Sequence, residues 1–133
     1  MKQIDHIGIA VSDLETGIAR YETLLNTPCY KREMVESQKV ETAFFRVGDS
    51  KIELLGPTSP ESVIATFIQK RGEGIHHIAF ETDDIREEAK RMEKEGFRLL
   101  MEAPVAGADN KEILFLHPKD VNGVLIELCQ TRK

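Results

Sequence analysis

Short apolar runs alternate along the chain with amphipathic segments, and the same order of segments occurs twice. The first copy opens with a strand pattern over residues 2–11 and continues with a helical pattern from Asp13 to about residue 25. The second copy opens with a strand over 75–82, followed by a helix that begins at Asp84. Three strand-like runs follow each helix, so the pattern predicts an α+β fold of two tandem βαβββ modules.

The remaining boundaries follow from turn residues and apolar runs. The predicted strands after each helix cover residues 29–36, 40–47 and 51–55, and then 97–102, 112–117 and 124–130. A Gly/Pro/Ser-rich stretch at 56–60 precedes an additional helix over 62–71. We therefore predict a single domain of residues 1–133, with module 1 at about 1–57, a linker and bridging helix at about 58–72, and module 2 at about 73–133. One face of each module is left open by its helix, and two open faces can form a half-barrel cleft.

Composition restricts the classes of partner. The net charge of −5 over 133 residues argues against nucleic acid or an anionic membrane surface as the main partner. No apolar run approaches the roughly 18 residues of a membrane-spanning helix, and the first residues lack the apolar region of a signal peptide. The two cysteines, Cys29 and Cys129, form no metal-binding or disulfide spacing. We therefore expect a cytoplasmic protein.

A histidine occupies the same place in the first strand of each copy. His6 and His77 are 71 residues apart, and an Asp follows each of them at a distance of seven residues. Because side chains alternate along a strand, His6 shares a face with small residues, and His77 shares its face with Ala79. These histidines are expected to face the cleft, where small neighbours leave room for a ligand. His76 has the opposite parity, and we do not count it as a ligand.

Each module also ends in a strand that carries one glutamate among apolar residues. Glu53 lies 47 residues after His6, and Glu127 lies 50 residues after His77. An ionised carboxylate inside an apolar strand is costly unless it is paired or bound to a metal. A single strand histidine is more often a hydrogen-bonded core residue, and a single strand glutamate more often faces solvent. The pairwise recurrence of all four residues nevertheless favours a site for one divalent cation, with Zn²⁺, Co²⁺, Ni²⁺, Mn²⁺ or Fe²⁺ as candidates.

With these residues in place, the chain resembles the vicinal oxygen chelate superfamily, and within it the methylmalonyl-CoA epimerases. The resemblance covers essentially the whole chain. It is carried by residues 5–11 (DHIGIAV), 51–57 (KIELLGP), 67–81 (FIQKRGEGIHHIAFE), 115–119 (FLHPK) and 123–128 (GVLIEL). It implies the paired βαβββ fold and a metal ligand set of His6, Glu53, His77 and Glu127. The implied cofactor is one divalent ion, Co²⁺ first, with Zn²⁺, Ni²⁺ or Mn²⁺ as alternatives.

The resemblance also implies a reaction. An epimerase interconverts the 2R and 2S epimers of methylmalonyl-CoA through an enolate, and it needs acid/base groups on both sides of the reacting carbon. Glu127 is one candidate for such a group. The acidic residue that acts as a base in some epimerases aligns near Glu41 or Thr42, and Glu41 is our second candidate. The expected partners are a small-molecule acyl-CoA substrate and a second copy of the chain in a homodimer.

Two alternatives remain open at this point. The first is glyoxalase I (lactoylglutathione lyase), whose bacterial ligand set of two His and two Glu is similar and which isomerises a glutathione hemithioacetal. The second belongs to another class, a metal-free protein on the same fold that sequesters a small molecule such as an antibiotic. The intact set of four ligands argues against that class, because a pure binding protein does not need buried glutamates.

Overall fold

A computed structural model describes residues 1–132. It contains eight strands and three α-helices within these residues. They are β1 (Gln3–Ala10), α1 (Leu14–Leu25), β2 (Lys31–Val35), β3 (Val40–Val47), β4 (Ser50–Pro57), α2 (Val63–Arg71), β5 (Gly74–Glu81), α3 (Ile85–Lys94), β6 (Val105–Gly107), β7 (Lys111–Phe115) and β8 (Ile126–Thr131). None of these helices combines the length and apolar character that a membrane-spanning helix needs.

The described chain divides into two compact units. Unit 1 consists of Met1–His6 and of the chain from His77 onward, and unit 2 consists of Ile7–His76. The boundary falls within β1 and within β5, so that the first residues of β1 belong with the second half of the chain. The prediction of a single domain over residues 1–133 stays a prediction.

Unit 2 is built on three antiparallel strands in the order β2, β3, β4, and the end of β1 joins β4 through the Val11 N–H, which donates to the Leu55 carbonyl. Helix α1 covers one face, because the apolar side chains at alternating strand positions point to it. That core contains Val11, Ile18, Ala43, Phe45 and Leu54. The opposite face packs partly against α2 through Ala10, Val40, Leu55 and Ile64. The predicted parity of the end of β1 is confirmed.

Unit 1 places the strands in the order β1, β5, β8, β7, β6. Strand β8 lies at the centre, parallel to β5 and antiparallel to β7. Helix α3 covers one face of these strands and shares a core with Leu114, Leu116 and Leu128. The opposite face carries the small buried residues Ala79 and Cys129. This second face is the one on which the polar residues considered below lie.

The predicted helix starts are confirmed. The side chain of Asp13 accepts a hydrogen bond from Thr16 N, and that of Asp84 accepts one from Glu87 N, so each aspartate caps its helix. Ser62 caps α2 in the same way through Ile64 N. After α3 the chain leaves the helix at Gly96, whose φ of 98° is a conformation that glycine adopts at little cost.

The predicted strand over residues 97–102 is wrong. Only an isolated bridge between Leu99 and Leu116 forms there. The Arg98 backbone N–H donates to the Asp120 carboxylate, and the Arg98 guanidinium binds the same carboxylate and holds the pKa of Asp120 down at about 2. The short strand β6 lies instead between the strands predicted over 97–102 and 112–117, where Gly107 approaches Ile113 so closely that a Cβ would lie 2.8 Å from a side-chain carbon.

Candidate metal centre

Three buried side chains of unit 1 bring their donor atoms together. The Nε2 atoms of His6 and His77 are 3.0 Å apart, and Nε2 of His77 lies 3.2 Å from one carboxylate oxygen of Glu127. The other Glu127 oxygen lies 3.6 Å from His6 Nε2. His6, His77 and Glu127 are 5%, 6% and 3% exposed. Three of the four ligands predicted from the sequence therefore form one cluster.

Strand register places two of these side chains side by side. Strands β5 and β8 are parallel, and Ala79 pairs with Glu127. His77 lies on the same face as Ala79, two residues earlier, so the imidazole and the carboxylate converge over the small alanine side chain. On the other side of β8, Phe115 pairs with Glu127, and its ring meets the His77 ring edge-to-face with centroids 5.8 Å apart. The aromatic contact restricts the orientation of His77.

Asp5 fixes the tautomer of His6. Its Oδ2 lies 2.7 Å from Nδ1 of His6, and both side chains are buried. An ionised carboxylate only accepts hydrogen bonds, so Nδ1 carries the hydrogen and donates it to Asp5. Nε2 of neutral His6 then presents its lone pair to His77 and Glu127. This is the arrangement that metal-bound histidines typically have, with a carboxylate behind the ring.

The cluster fits a divalent cation of borderline softness. Two imidazole nitrogens and a carboxylate oxygen lie within 4.8 Å of one another and suit Zn²⁺, Co²⁺ or Mn²⁺. Without a metal, neutral His77 can carry its hydrogen on Nε2 and donate it either to Nε2 of His6 or to the Glu127 carboxylate. Because metal ligands bind in their deprotonated form, a cation takes the place of such a hydrogen. A cation held by these three side chains would act as a Lewis acid toward a substrate oxygen.

Glu53, the fourth predicted ligand, lies in unit 2. It is a buried residue of β4 and pairs in register with Phe44 of β3. The amino group of Lys51, which is also buried, lies 3.7 Å from its carboxylate. The structure places this carboxylate in the interior of an apolar strand, whereas its role as a metal ligand stays a prediction.

Glu41, the predicted second acid/base, lies on the helix-covered face of unit 2. It shares the parity of Ala43 and Phe45, which pack beneath α1. Its carboxylate accepts a hydrogen bond of 2.8 Å from Arg32, which also binds Glu15 on α1. Thr42 is buried on the opposite face of the sheet, the one that carries Phe44 and Glu53. A threonine hydroxyl does not act as a base. The placement of Glu41 therefore gives its predicted catalytic role no support.

His76 and Cys129, which the sequence analysis did not count as ligands, are not among the described residues whose donor atoms converge with those of His6, His77 and Glu127. The ring of His76 packs edge-to-face on Phe67 with centroids 5.0 Å apart. Burial, followed by the positive charge of Arg71, holds the pKa of His76 below its ordinary value. Cys129 is fully buried in an apolar cluster with Ala79 and Ile113.

Sequence reasoning missed two residues of unit 1. The sequence analysis assigns no role to Asp5, and Lys111 lies just before the strand predicted over residues 112–117. Both are buried, and the Lys111 amino group lies 3.4 Å from the second oxygen of Asp5. The available signal was charge: an aspartate directly before a strand histidine is costly to bury without a partner.

Comparison with known proteins identifies the family. A sequence profile of the glyoxalase/bleomycin resistance protein/dioxygenase superfamily matches residues 5–115. The chain belongs to this superfamily. The resemblance and the α+β fold class predicted from the sequence are confirmed.

The chain is similar to several known proteins over nearly its whole length. It is 39% identical over 132 residues to an uncharacterised protein of Bacillus subtilis, covering 99% of this chain and 94% of the relative. It is 40% identical over 130 residues to the ethylmalonyl-CoA/methylmalonyl-CoA epimerase of Cereibacter sphaeroides, covering 96% and 97%. A Streptomyces coelicolor methylmalonyl-CoA epimerase variant, solved in complex with 2-nitronate-propionyl-CoA, superposes with a TM-score of 0.94 at 37% identity, covering 98% and 95%.

The two neighbouring histidines provide a matched test of the donor cluster. We expect His77→Ala to weaken Co²⁺ binding by about 100-fold or more, because it removes a ligand nitrogen from a preorganised set. His76→Ala is the control, since His76 packs on Phe67 outside the cluster. Calorimetric titration of the metal-free proteins with Co²⁺ measures both affinities. Equal affinities of the two variants would contradict the site.

Proposed function

We propose that this protein is a methylmalonyl-CoA epimerase, an isomerase that interconverts the 2R and 2S epimers of its acyl-CoA substrate. The observation that carries the proposal is the buried donor set of His6, His77 and Glu127 in a chain that is 40% identical to a Cereibacter sphaeroides epimerase over 96% of its length. The solved Streptomyces coelicolor relative, with its bound 2-nitronate-propionyl-CoA, adds support for a CoA thioester as the substrate class.

The reaction begins with removal of the proton on C2. This proton is weakly acidic, and its removal leaves negative charge on the thioester carbonyl oxygen, close to a carboxylate that is already ionised. A bound divalent cation supplies the positive charge that stabilises such an enolate. His6 and His77, whose Nε2 atoms are 3.0 Å apart and whose rings are buried, would hold such a cation.

Glu127 is the proposed acid/base on one side of C2. One of its carboxylate oxygens takes the proton as the C–H electron pair moves into the enolate. Epimerisation then requires a proton to return to the opposite face of C2, so a second proton-carrying group is needed. Glu41 is the candidate that the sequence suggests for it, but the pairing of Glu41 with Arg32 on the helix-covered face argues against that role.

Further parts of the proposal concern the cation, assembly and location of the protein. We propose Co²⁺ as the cation, since a set of two imidazoles and carboxylate suits it, with Zn²⁺, Ni²⁺ and Mn²⁺ competing for the same ligands. We also retain the homodimer and the cytoplasmic location expected from the sequence. Light scattering coupled to size-exclusion chromatography distinguishes a dimer from a 15.0 kDa monomer.

The decisive experiment is deuterium uptake at C2 of methylmalonyl-CoA in heavy water, measured by mass spectrometry. We expect uptake far above the non-enzymatic blank with Co²⁺-loaded protein and little uptake with metal-free protein, because proton removal needs stabilisation of the enolate. The blank contains substrate and Co²⁺ without protein.

The same experiment separates the alternatives. If the Co²⁺-loaded protein does not exchange the C2 proton but isomerises a glutathione hemithioacetal, glyoxalase I becomes the better assignment. Failure to bind any divalent cation would favour the small-molecule-binding protein. Both alternatives are therefore tested with the same preparation.

Two carboxylate variants test the acid/base assignment. Glu127→Gln is expected to lower the rate of deuterium exchange by about 100-fold or more, because an amide cannot accept the C2 proton. Glu41→Gln is expected to change it by less than about threefold, since Glu41 lies in an ion pair with Arg32 on the helix-covered face. A large loss in Glu41→Gln would restore Glu41 as the second base.

Glu53 completes the proposed ligand set, and its support is its place in the repeat, equivalent to that of Glu127. We expect Glu53→Gln to weaken Co²⁺ binding by about tenfold or more, because a neutral amide is a poorer ligand than a carboxylate. The change also leaves Lys51 without its buried carboxylate partner. The double variant Lys51→Met/Glu53→Gln removes both charges and controls for that loss. Wild-type affinity in both variants would contradict the role of Glu53.

A further inference from the structure

We infer that Asp5 and Lys111 are positioning residues, which together hold His6 in the tautomer and orientation that direct its Nε2 toward His77 and Glu127. The inference deepens the proposed function, because it concerns the same candidate metal centre. It can nevertheless be tested on the metal-free protein. All of the residues it uses lie in unit 1.

The two oxygens of Asp5 are divided between two partners. Oδ2 accepts the hydrogen bond of 2.7 Å from His6 Nδ1, and Oδ1 lies 3.4 Å from the Lys111 amino group. A carboxylate held at both oxygens cannot rotate away from the ring without losing an interaction. The result is a continuous path of contacts from Lys111 through Asp5 to Nδ1 of His6, whose other ring nitrogen, Nε2, faces the candidate centre.

Lys111 is itself held in place. It is 8% exposed, and its amino group donates a hydrogen bond of 2.8 Å to the Thr131 hydroxyl. Lys111 and Thr131 are paired in the register of β7 and β8, so the strand pairing itself brings the amino group to this position. A lysine is rarely buried to this degree unless its charge is matched, and Asp5 supplies that match.

This arrangement has a consequence for the chemistry of His6. A carboxylate behind an imidazole raises the basicity of the opposite nitrogen and selects the tautomer that leaves it bare. The Lys111 charge stabilises Asp5 as the ionised acceptor in a place that is 4% exposed. Asp5 contacts the Nδ1 side of the His6 ring and Lys111 contacts Asp5, so the two residues act on the candidate centre through His6.

The test is a double-mutant cycle of Asp5→Asn and Lys111→Met, with Co²⁺ affinity measured calorimetrically. We expect Asp5→Asn to weaken binding by about 10- to 100-fold. We expect Lys111→Met to weaken binding several-fold in the wild-type background, and by less than about twofold when Asp5 is already Asn. The matched control for the loss of one positive charge is Lys90→Met, since Lys90 is an exposed residue of α3 whose pairing with Glu87 is on the surface.

The second readout is the tautomer of His6 in the metal-free protein, observed by long-range proton–nitrogen correlation NMR. Wild type and Lys90→Met are expected to show the hydrogen on Nδ1, whereas Asp5→Asn and Lys111→Met are expected to show a mixture of tautomers. A purely structural role would lower the melting temperature without changing this signature. Should Lys111→Met not fold, Lys111→Gln serves instead and is expected to give the same mixture.

The outcomes are distinguishable. Equal effects of Lys111→Met in both backgrounds, or an unchanged His6 tautomer in Asp5→Asn and Lys111→Met, would overturn the inference. A wild-type protein that binds no Co²⁺ would overturn the metal centre of the proposed function, and the NMR signature would then decide the positioning role by itself.

Discussion

The burial of Glu127 is the constraint on which the polar face of unit 1 depends. A carboxylate that is 3% exposed is unfavourable unless groups of opposite charge or hydrogen-bond donors surround it. His77 meets this need as a donor, with its Nε2 3.2 Å from one oxygen, whereas His6 presents a lone pair 3.6 Å from the other oxygen and would share a cation with it. His6 in turn needs an acceptor for its other nitrogen, which Asp5 provides, and Asp5 needs a cation, which Lys111 provides. Each of these buried polar groups therefore depends on the next one for a hydrogen-bond or charge partner.

Unit 2 shows a comparable solution on its own strands. Glu53 is buried beside Lys51 on β4, and the Lys51 amino group also lies 5.9 Å from the centroid of the Phe44 ring. A second amino group, that of Lys31, lies 5.2 Å from the same ring. Positive charge near an aromatic face is stabilised by the ring quadrupole. Both units thus keep a carboxylate in an apolar strand by placing cationic or imidazole groups next to it.

Repetition and strand parity made much of this predictable from the sequence. They identified His6, His77 and Glu127 as one polar set, and the helix caps Asp13 and Asp84. The contact between Asp5 and His6 could not be predicted in this way, because adjacent residues of a strand point to opposite faces. Lys111, the partner of Asp5, is the first residue of β7, but the predicted strand begins at residue 112. The pattern therefore gives no reason to expect Lys111 to be buried.

The Glu41 position shows how sensitive such reasoning is to register. A displacement of one residue along a strand transfers every side chain to the other face. The sequence resemblance located an acidic base only to within Glu41 and Thr42, and these two residues lie on opposite faces of β3. The structure puts the carboxylate on the face beneath α1, with Arg32, and the hydroxyl on the face of Glu53. Pattern alone could not have separated the two.

Glu127 is proposed both as a metal ligand and as a base, and the contacts of the neighbouring side chains in unit 1 are relevant to that combination. A ligand that also accepts the C2 proton has to move relative to the other ligands, which must stay in place during that movement. His6 is held from behind by Asp5, and His77 is contacted at its ring by Phe115. Glutamate has more rotatable bonds than either histidine, and a carboxylate offers two equivalent oxygens, of which one can bind while the other accepts a proton. Two fixed imidazoles and one adaptable carboxylate are therefore the combination that a base within the ligand set requires.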